Sequence, residues 1–163
     1  SLESFLELAQ RSTIRRYVRM RLLEKNKQNL KYALQIGEVP IYERDEDGNI
    51  IYIEVDGQKV PVETGETEIG YSKPVDFRGN IAMSGGEAEA KSFGVDISEY
   101  DAILLMEKDR IQIDETSLIW HTSEVKYIDE QNTIVDRKSA DYSVKRVQPS
   151  LNFTRYLLKR IVK

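Results

Sequence analysis

The chain contains no cysteine in its 163 residues. Disulfides, thiolate metal sites and a cysteine nucleophile are thereby excluded. Histidine occurs once, at His121, which excludes every two-histidine metal motif. No apolar run approaches the roughly 18 residues of a spanning helix, and mean hydropathy is −0.51. Neither charge sign dominates: 24 basic against 28 acidic residues give a net of −4. That balance disfavours a strongly basic duplex-binding domain. Phosphate loops of the GxxxxGK[ST] and GxGxxG types are missing. The one glycine pair, Gly85-Gly86, leads into Glu87 and Glu89, whose carboxylates would repel a phosphate. A nucleophile elbow, GxSxG, is missing too.

What is present suits one compact domain. The apolar fraction is 40%, enough for a single core at this length. Nine tyrosines and one tryptophan suit a β-rich chain. Residues 1–29 read as a basic amino-terminal arm, helical or extended, ahead of a β-barrel-like domain over 30–163. Leu2, Phe5, Leu6 and Ala9 recur at helical spacing behind Ser1. Residues 11–31 carry eight bases and one acid, a net of +7. No secretory signal is legible, so synthesis in the cytoplasm is expected.

From residue 30 the pattern changes to short strands. Leu30, Tyr32, Leu34 and Ile36 alternate. Residues 50–55 and 59–63 flank Asp56-Gly57, the strongest hairpin signal in the chain. Residues 43–68 hold nine acids and two bases, a net of −7. Residues 74–83 read as a further strand. A break at Ser84-Gly85-Gly86 precedes a short helical turn over 87–92, closed by Gly94. Residues 102–106 and 118–121 are apolar runs short enough for buried strands. Tyr142, Val144 and Arg146 alternate against Ser143, Lys145 and Val147. Residues 153–162 fit both a strand and one helix face. A strand is expected, because a strand precedes it across the Pro149-Ser150 turn. Residues 137–163 are basic again, with eight bases and one acid. These segments predict an all-β fold, a small barrel or sandwich with long loops.

Chemistry-bearing patterns are sparse. Asp45, Asp47 and Asn49 resemble part of a calcium loop, but Gly48 falls at the fourth position rather than the sixth. A solvated hairpin turn is the expectation there. His121 beside Trp120 reads as structural. Carboxylate pairs such as Glu87 with Glu89, or Asp114 with Glu115, could serve acid–base work in principle. No catalytic residue, cofactor or metal is expected. Trp120, Leu104 and Ile113 are assigned to the core. Arg155, Lys159 and Arg160 interleave with aromatic and aliphatic residues as a basic contact patch that could meet phosphates. The reading beside it is a strand pair with one solvated face. Positive ends and a negative middle favour head-to-tail packing between copies.

The sequence also resembles a family. The run Glu24-Lys25-Asn26-Lys27-Gln28, followed by Tyr32-Ala33-Leu34 and Gly37, looks like the opening of small neck proteins of tailed bacteriophages of Firmicutes. Tyr71-Ser72-Lys73-Pro74-Val75 with Asn80-Ile81-Ala82, and Gly85-Gly86-Glu87-Ala88-Glu89 with Phe93-Gly94, are similar to later elements. Tyr100-Asp101, the run from Ile113 to Trp120, and Asp141-Tyr142-Ser143-Val144-Lys145-Arg146-Val147 with Ser150-Leu151-Asn152 complete the pattern. The order and spacing match from about Leu22 onward. The first twenty residues have no counterpart, and the acidic hairpin over 45–68 is longer than usual.

The group resembled is the head–tail connector family, its head-closure or stopper proteins first. The resemblance implies a small β-barrel with protruding loops, acting as a virion structural protein rather than an enzyme. It implies a homo-oligomeric ring with a portal or head-completion adaptor ring on one side. A tail-completion or tail-tube protein lies on the other, and packaged DNA passes through the lumen. Candidate interface or channel loops are Glu63, Gly65, Glu66 and Glu68, and Gly85, Gly86, Glu87 and Phe93. A channel that lets DNA slide should not grip it, so acids are expected nearer the lumen and the bases nearer protein neighbours. The alternatives are a tail-completion protein of the same neck, a nucleic-acid-binding β-barrel, and an enzyme or lone β-sandwich binding module.

Overall fold

The computed structural model describes residues 26–108 and 110–163. Most of the expected amino-terminal arm, residues 1–25, lies outside the described residues. The described strands are β1 (Gln28–Ala33), β2 (Gln35–Tyr42), β3 (Tyr52–Val55), β4 (Gln58–Pro61), β5 (Glu63–Tyr71), β6 (Val75–Met83), β7 (Ala102–Glu107), β8 (Leu118–Trp120), β9 (Tyr142–Pro149) and β10 (Phe153–Arg160). A short helix, α1 (Glu87–Ser92), and 3₁₀ turns at Ile97–Glu99 and Arg137–Ser139 accompany them.

Six strands close into a barrel in the order β1-β6-β7-β10-β9-β8, each neighbouring pair antiparallel. The expected all-β fold is present, and it is a barrel rather than a sandwich. Closure removes the free sheet edges that an open sheet of this size would expose. Alternation fills the interior: Ala102, Leu104 and Met106 of β7 meet Tyr156 and Leu158 of β10, with Leu30, Ile119, Tyr142 and Val144.

β9 departs from the simple alternation read from its sequence. Leu157 pairs with Arg146, but Leu158 pairs with Val144, so Lys145 is an extra residue in the ladder. Such a bulge reverses the parity of the residues beyond it. Tyr142 and Val144 point inward before it, and Val147 packs against the same core after it. Arg146 therefore leaves the face of Val144, which corrects the expected grouping.

Two outer layers cover outward strand faces. Ala90 of α1 and Tyr100 pack on Leu157, with Phe93, Val95 and Ile103 beside them. The excursion between β8 and β9 brings Val135 and Ala140 over Leu118, Trp120 and Ala33. β10 is thus buried on both faces, with Tyr156 and Leu158 inside and Leu157 outside. That double burial is why its sequence also fits a helix face. Trp120 sends its indole N–H to Ser139 Oγ at 3.1 Å, so its one polar atom is paired where it is buried.

Between β1 and β6 the chain leaves the barrel as two ribbons, β2–β5 and β3–β4. The strand read as continuing to Ile36 stops at Ala33. There Leu34 N donates to Ser72 Oγ at 2.9 Å, and Ser72 N donates to Leu34 O at 2.7 Å. This reciprocal pair fastens both ends of the arm where it joins the barrel. At the far end, Asp56 and Gly57 take φ values of 50° and 79°, the left-handed pair of a two-residue hairpin turn.

The stretch 63–68, expected as an acidic loop, is the first part of β5 and pairs with β2. Gly65, at φ 88°, sits where the register against Pro40 and Tyr42 is irregular. Its left-handed backbone absorbs that irregularity and lets pairing continue. Thr64 supports it, its Oγ1 donating to Ile41 O at 3.0 Å.

Candidate functional site

The sequence-derived site residues fall in two separate regions. Glu63, Gly65, Glu66 and Glu68 lie on β5, and all four are exposed. They belong to an arm, residues 35–71, that carries ten acids and two bases. Its polar turns are internally tied. Asp45 Oδ1 accepts the amides of Asp47 at 3.0 Å and Asn49 at 2.9 Å. Arg44 donates to Gly48 O at 2.6 Å. The calcium-like spacing is therefore a hairpin turn in which Asp45 is spent on backbone amides.

The arm touches the barrel's outer excursion. Tyr52 Oη accepts the Glu130 amide at 3.2 Å. The Tyr42 hydroxyl is raised above its ordinary range, by burial first and then by the nearby charges of Glu63 and Asp129.

The second region joins two groups that the sequence reading kept apart. Phe93 of the candidate contact loop lies under the Arg155 guanidinium, whose carbon is 3.9 Å from the ring centroid. Arg155 also donates to Gln148 Oε1 at 3.1 Å, and Gln148 Nε2 donates to Phe93 O at 3.0 Å. Tyr100 sits 6.1 Å from Phe93, centroid to centroid. The Tyr100 hydroxyl donates to Glu89 Oε1 at 2.9 Å. Burial, then the Glu89 hydrogen bond, pushes its pKa up to about 12. The same carboxylate oxygen accepts the Gly85 amide at 2.9 Å. Gly85, Glu89, Tyr100, Phe93 and Arg155 thus form one connected brace that fastens α1 to β10.

Lys159 is engaged as well, donating to Ser98 O at 2.9 Å and lying 3.5 Å from Asp101. Arg160 presents an exposed side chain, and its amide donates to Asp101 Oδ2 at 2.7 Å. Of the expected basic patch, two members hold the fold and one faces solvent. Among the contact-loop residues, Glu87 and Gly85 are exposed, while Gly86 and Phe93 are half-buried.

Sequence reading missed two carboxylate hubs. Asp141 Oδ2 accepts the amides of His121 (2.7 Å), Thr122 (3.0 Å) and Ser123 (3.0 Å), and Ser123 Oγ donates to its Oδ1 at 2.6 Å. Burial alone would raise the Asp141 carboxyl, but these bonds outweigh it and hold the group below its usual value. The His121 ring turns elsewhere, with Nε2 2.5 Å from Gln28 Oε1. Ser123, His121 and Asp141 are neighbours without the relay of a hydrolytic triad. Asp129 repeats the pattern with Thr133 and the Ile134 amide. The polar run Asp129 to Thr133 carried a local turn signal. The partners of Asp141 lie about twenty residues upstream and carried none.

Comparison of the chain with protein-family models, with curated proteins and with solved structures finds no match.

Proposed function

We propose that the chain is a structural subunit of a tailed-phage neck. In this reading it forms a ring that joins the portal or its adaptor to the tail and closes the head channel after packaging. The observation that carries the reading is the acidic arm: ten acids against two bases, built on exposed ribbons that emerge from a closed barrel. An acid-lined passage repels phosphates and lets DNA slide, whereas a basic lining would bind it. Glu63, Glu66 and Glu68 then belong toward the lumen, and Arg160 toward a protein neighbour. The resemblance of the sequence to head-closure proteins supports the same role.

The nucleic-acid-binding reading draws less support, because Arg155 and Lys159 already have partners within the chain. The test uses purified, DNA-filled, tailless heads that lack this protein. The expected result is a ring at the portal vertex by electron microscopy, with DNA protected from nuclease. Binding without retention would assign a tail-completion or adaptor role instead. Absence of binding by the folded protein, or a ring whose channel is lined by Arg155 or Arg160, would overturn the reading.

A further inference from the structure

One face of the β3–β4 hairpin carries an exposed aliphatic row. The hairpin register pairs Ile53 with Val60 and Val55 with Gln58, which places Ile53, Val55 and Val60 on one face. Ile51, two residues before Ile53, extends the row. These side chains are exposed by 38% (Ile51), 52% (Ile53), 45% (Val55) and 40% (Val60). The opposite face carries Tyr52, Glu54, Lys59 and Pro61. Tyr52 is the residue that reaches back to the Glu130 amide. Tyr52 turns toward the molecule, Glu54 and Lys59 on its face stay exposed, and the aliphatic row also stands in water. A contiguous aliphatic row in water is unfavourable unless something covers it, and such rows mark contact surfaces.

Charge selects what covers it. The arm, residues 35–71, has a net of 2 − 10 = −8. Residues 72–163 are nearly balanced, with fourteen bases and fifteen acids. The opposite charge is concentrated in residues 11–25, with six bases and one acid. That stretch also carries Ile14, Tyr17, Val18, Leu22 and Leu23, which match an aliphatic row bordered by carboxylates. We infer that the outward face of the β3–β4 hairpin binds the basic amino-terminal stretch, residues 11–25, of a second copy of this chain.

The basic stretch and the arm flank β1 at its opposite ends in the chain. β1 runs from Gln28 to Ala33, and the arm departs just after Ala33. The basic stretch therefore joins the barrel at the end of β1 away from the arm. A donor at one end and an acceptor at the other make a head-to-tail contact, which closes a ring or continues as a filament. Apolar contact supplies the affinity, and the opposed charges set partner and register. The inference rests on exposure, register and charge, and it does not require the neck reading.

The test places a photo-crosslinking residue on the full-length chain, Ile53→p-benzoylphenylalanine. The protein is irradiated at millimolar concentration as an equal mixture of isotopically light and heavy chains. The expected product is a mixed light–heavy pair joining position 53 to residues 11–25. Its yield should fall at high salt, because the rim charges are screened. The product should be lost in the triple variant Arg15→Glu, Arg16→Glu, Arg19→Glu, whose circular dichroism checks the fold. Crosslinks confined to single chains, crosslinks from position 53 to the barrel, or no crosslinked pair would each overturn the inference. Any of these results together with DNA-retaining rings on heads would remove this contact and leave the neck reading standing.

Discussion

The barrel and the arm are made by one chain under opposite rules. In the barrel, the interior is filled, and α1 and the β8–β9 excursion cover outward faces. In the arm, only Gly70 and Tyr71 at its base are buried. Among the described residues, six of the eleven exposed large hydrophobic side chains lie there: Ile36, Ile51, Ile53, Val55, Val60 and Ile69. A two-stranded ribbon is marginal on its own, so the arm cannot draw its order from burial. It depends on turn chemistry at Asp45 and Asp56-Gly57 and on its fastening at Leu34 and Ser72. The barrel therefore carries the stability, while the arm carries surface left over for contact. Substitutions in the two regions should separate these properties.

The largest effect belongs to Trp120. Its side chain is 1% exposed, and its indole N–H is paired with Ser139. Trp120→Ala is expected to cost about 3–5 kcal/mol, from lost contacts and the cavity left behind. Denaturant unfolding measures this directly. If the variant does not fold, Trp120→Phe keeps most of the volume and should still lose stability, because the indole bond to Ser139 and part of the ring packing are lost. A loss near zero for both would show that the outer layer over β8 is not part of the cooperative unit.

The next effect is set by pH. Asp141 is held below 3.8 although burial opposes it, and Asp129 likewise. Asp114 is lowered by the Thr116 hydroxyl first, against burial. A carboxyl whose folded value is depressed adds stability above the ordinary value of 3.8 and loses it as pH falls through the lowered one. The barrel should therefore weaken on acidification below about pH 4. Asp141→Asn is expected to cost about 1–3 kcal/mol at neutral pH, because charge-assisted bonds to three amides are weakened. Its stability should also fall less steeply with acid than that of the parent chain. An unchanged acid slope in this variant would remove Asp141 from the account.

How much of this was legible in the sequence depends on the range over which each signal acts. Short apolar runs and turn dipeptides are local, so β7 and β8, and β3 and β4 about the Asp56-Gly57 hairpin, could be read directly. The Lys145 bulge could not, because it is set by how β10 closes the barrel against β9. The strand character of 63–68 was hidden by its acids, which favour a loop in isolation and sit on a ribbon only because β2 pairs with them. The site residues were legible as types but not as groups. Nothing in the spacing of Phe93 and Arg155 announces that they stack, and nothing near Asp141 announces the three amides it gathers. Glu63, Glu66 and Glu68 were legible as exposed acids because exposure of charge needs no partner.

The smallest effects sharpen the comparison most. Gly57 has a φ of 79°, and open space surrounds the position where a Cβ would stand. Gly57→Ala therefore adds no clash, only left-handed backbone strain of about 1–2 kcal/mol. Because the β3–β4 hairpin contributes little to the core, this should appear as faster amide exchange within 52–61, with the barrel's slowest amides unchanged. The pair Ile53→Thr and Val60→Thr goes further in the same direction. Both residues are half-exposed and oppose each other across the ribbon, and threonine keeps their β-branched shape. The folded monomer should change by no more than about 0.5 kcal/mol, in contrast to the loss at Trp120. A measurable drop in global stability would mean that the aliphatic row is already covered within the monomer, and the division of labour between barrel and arm would fail with it.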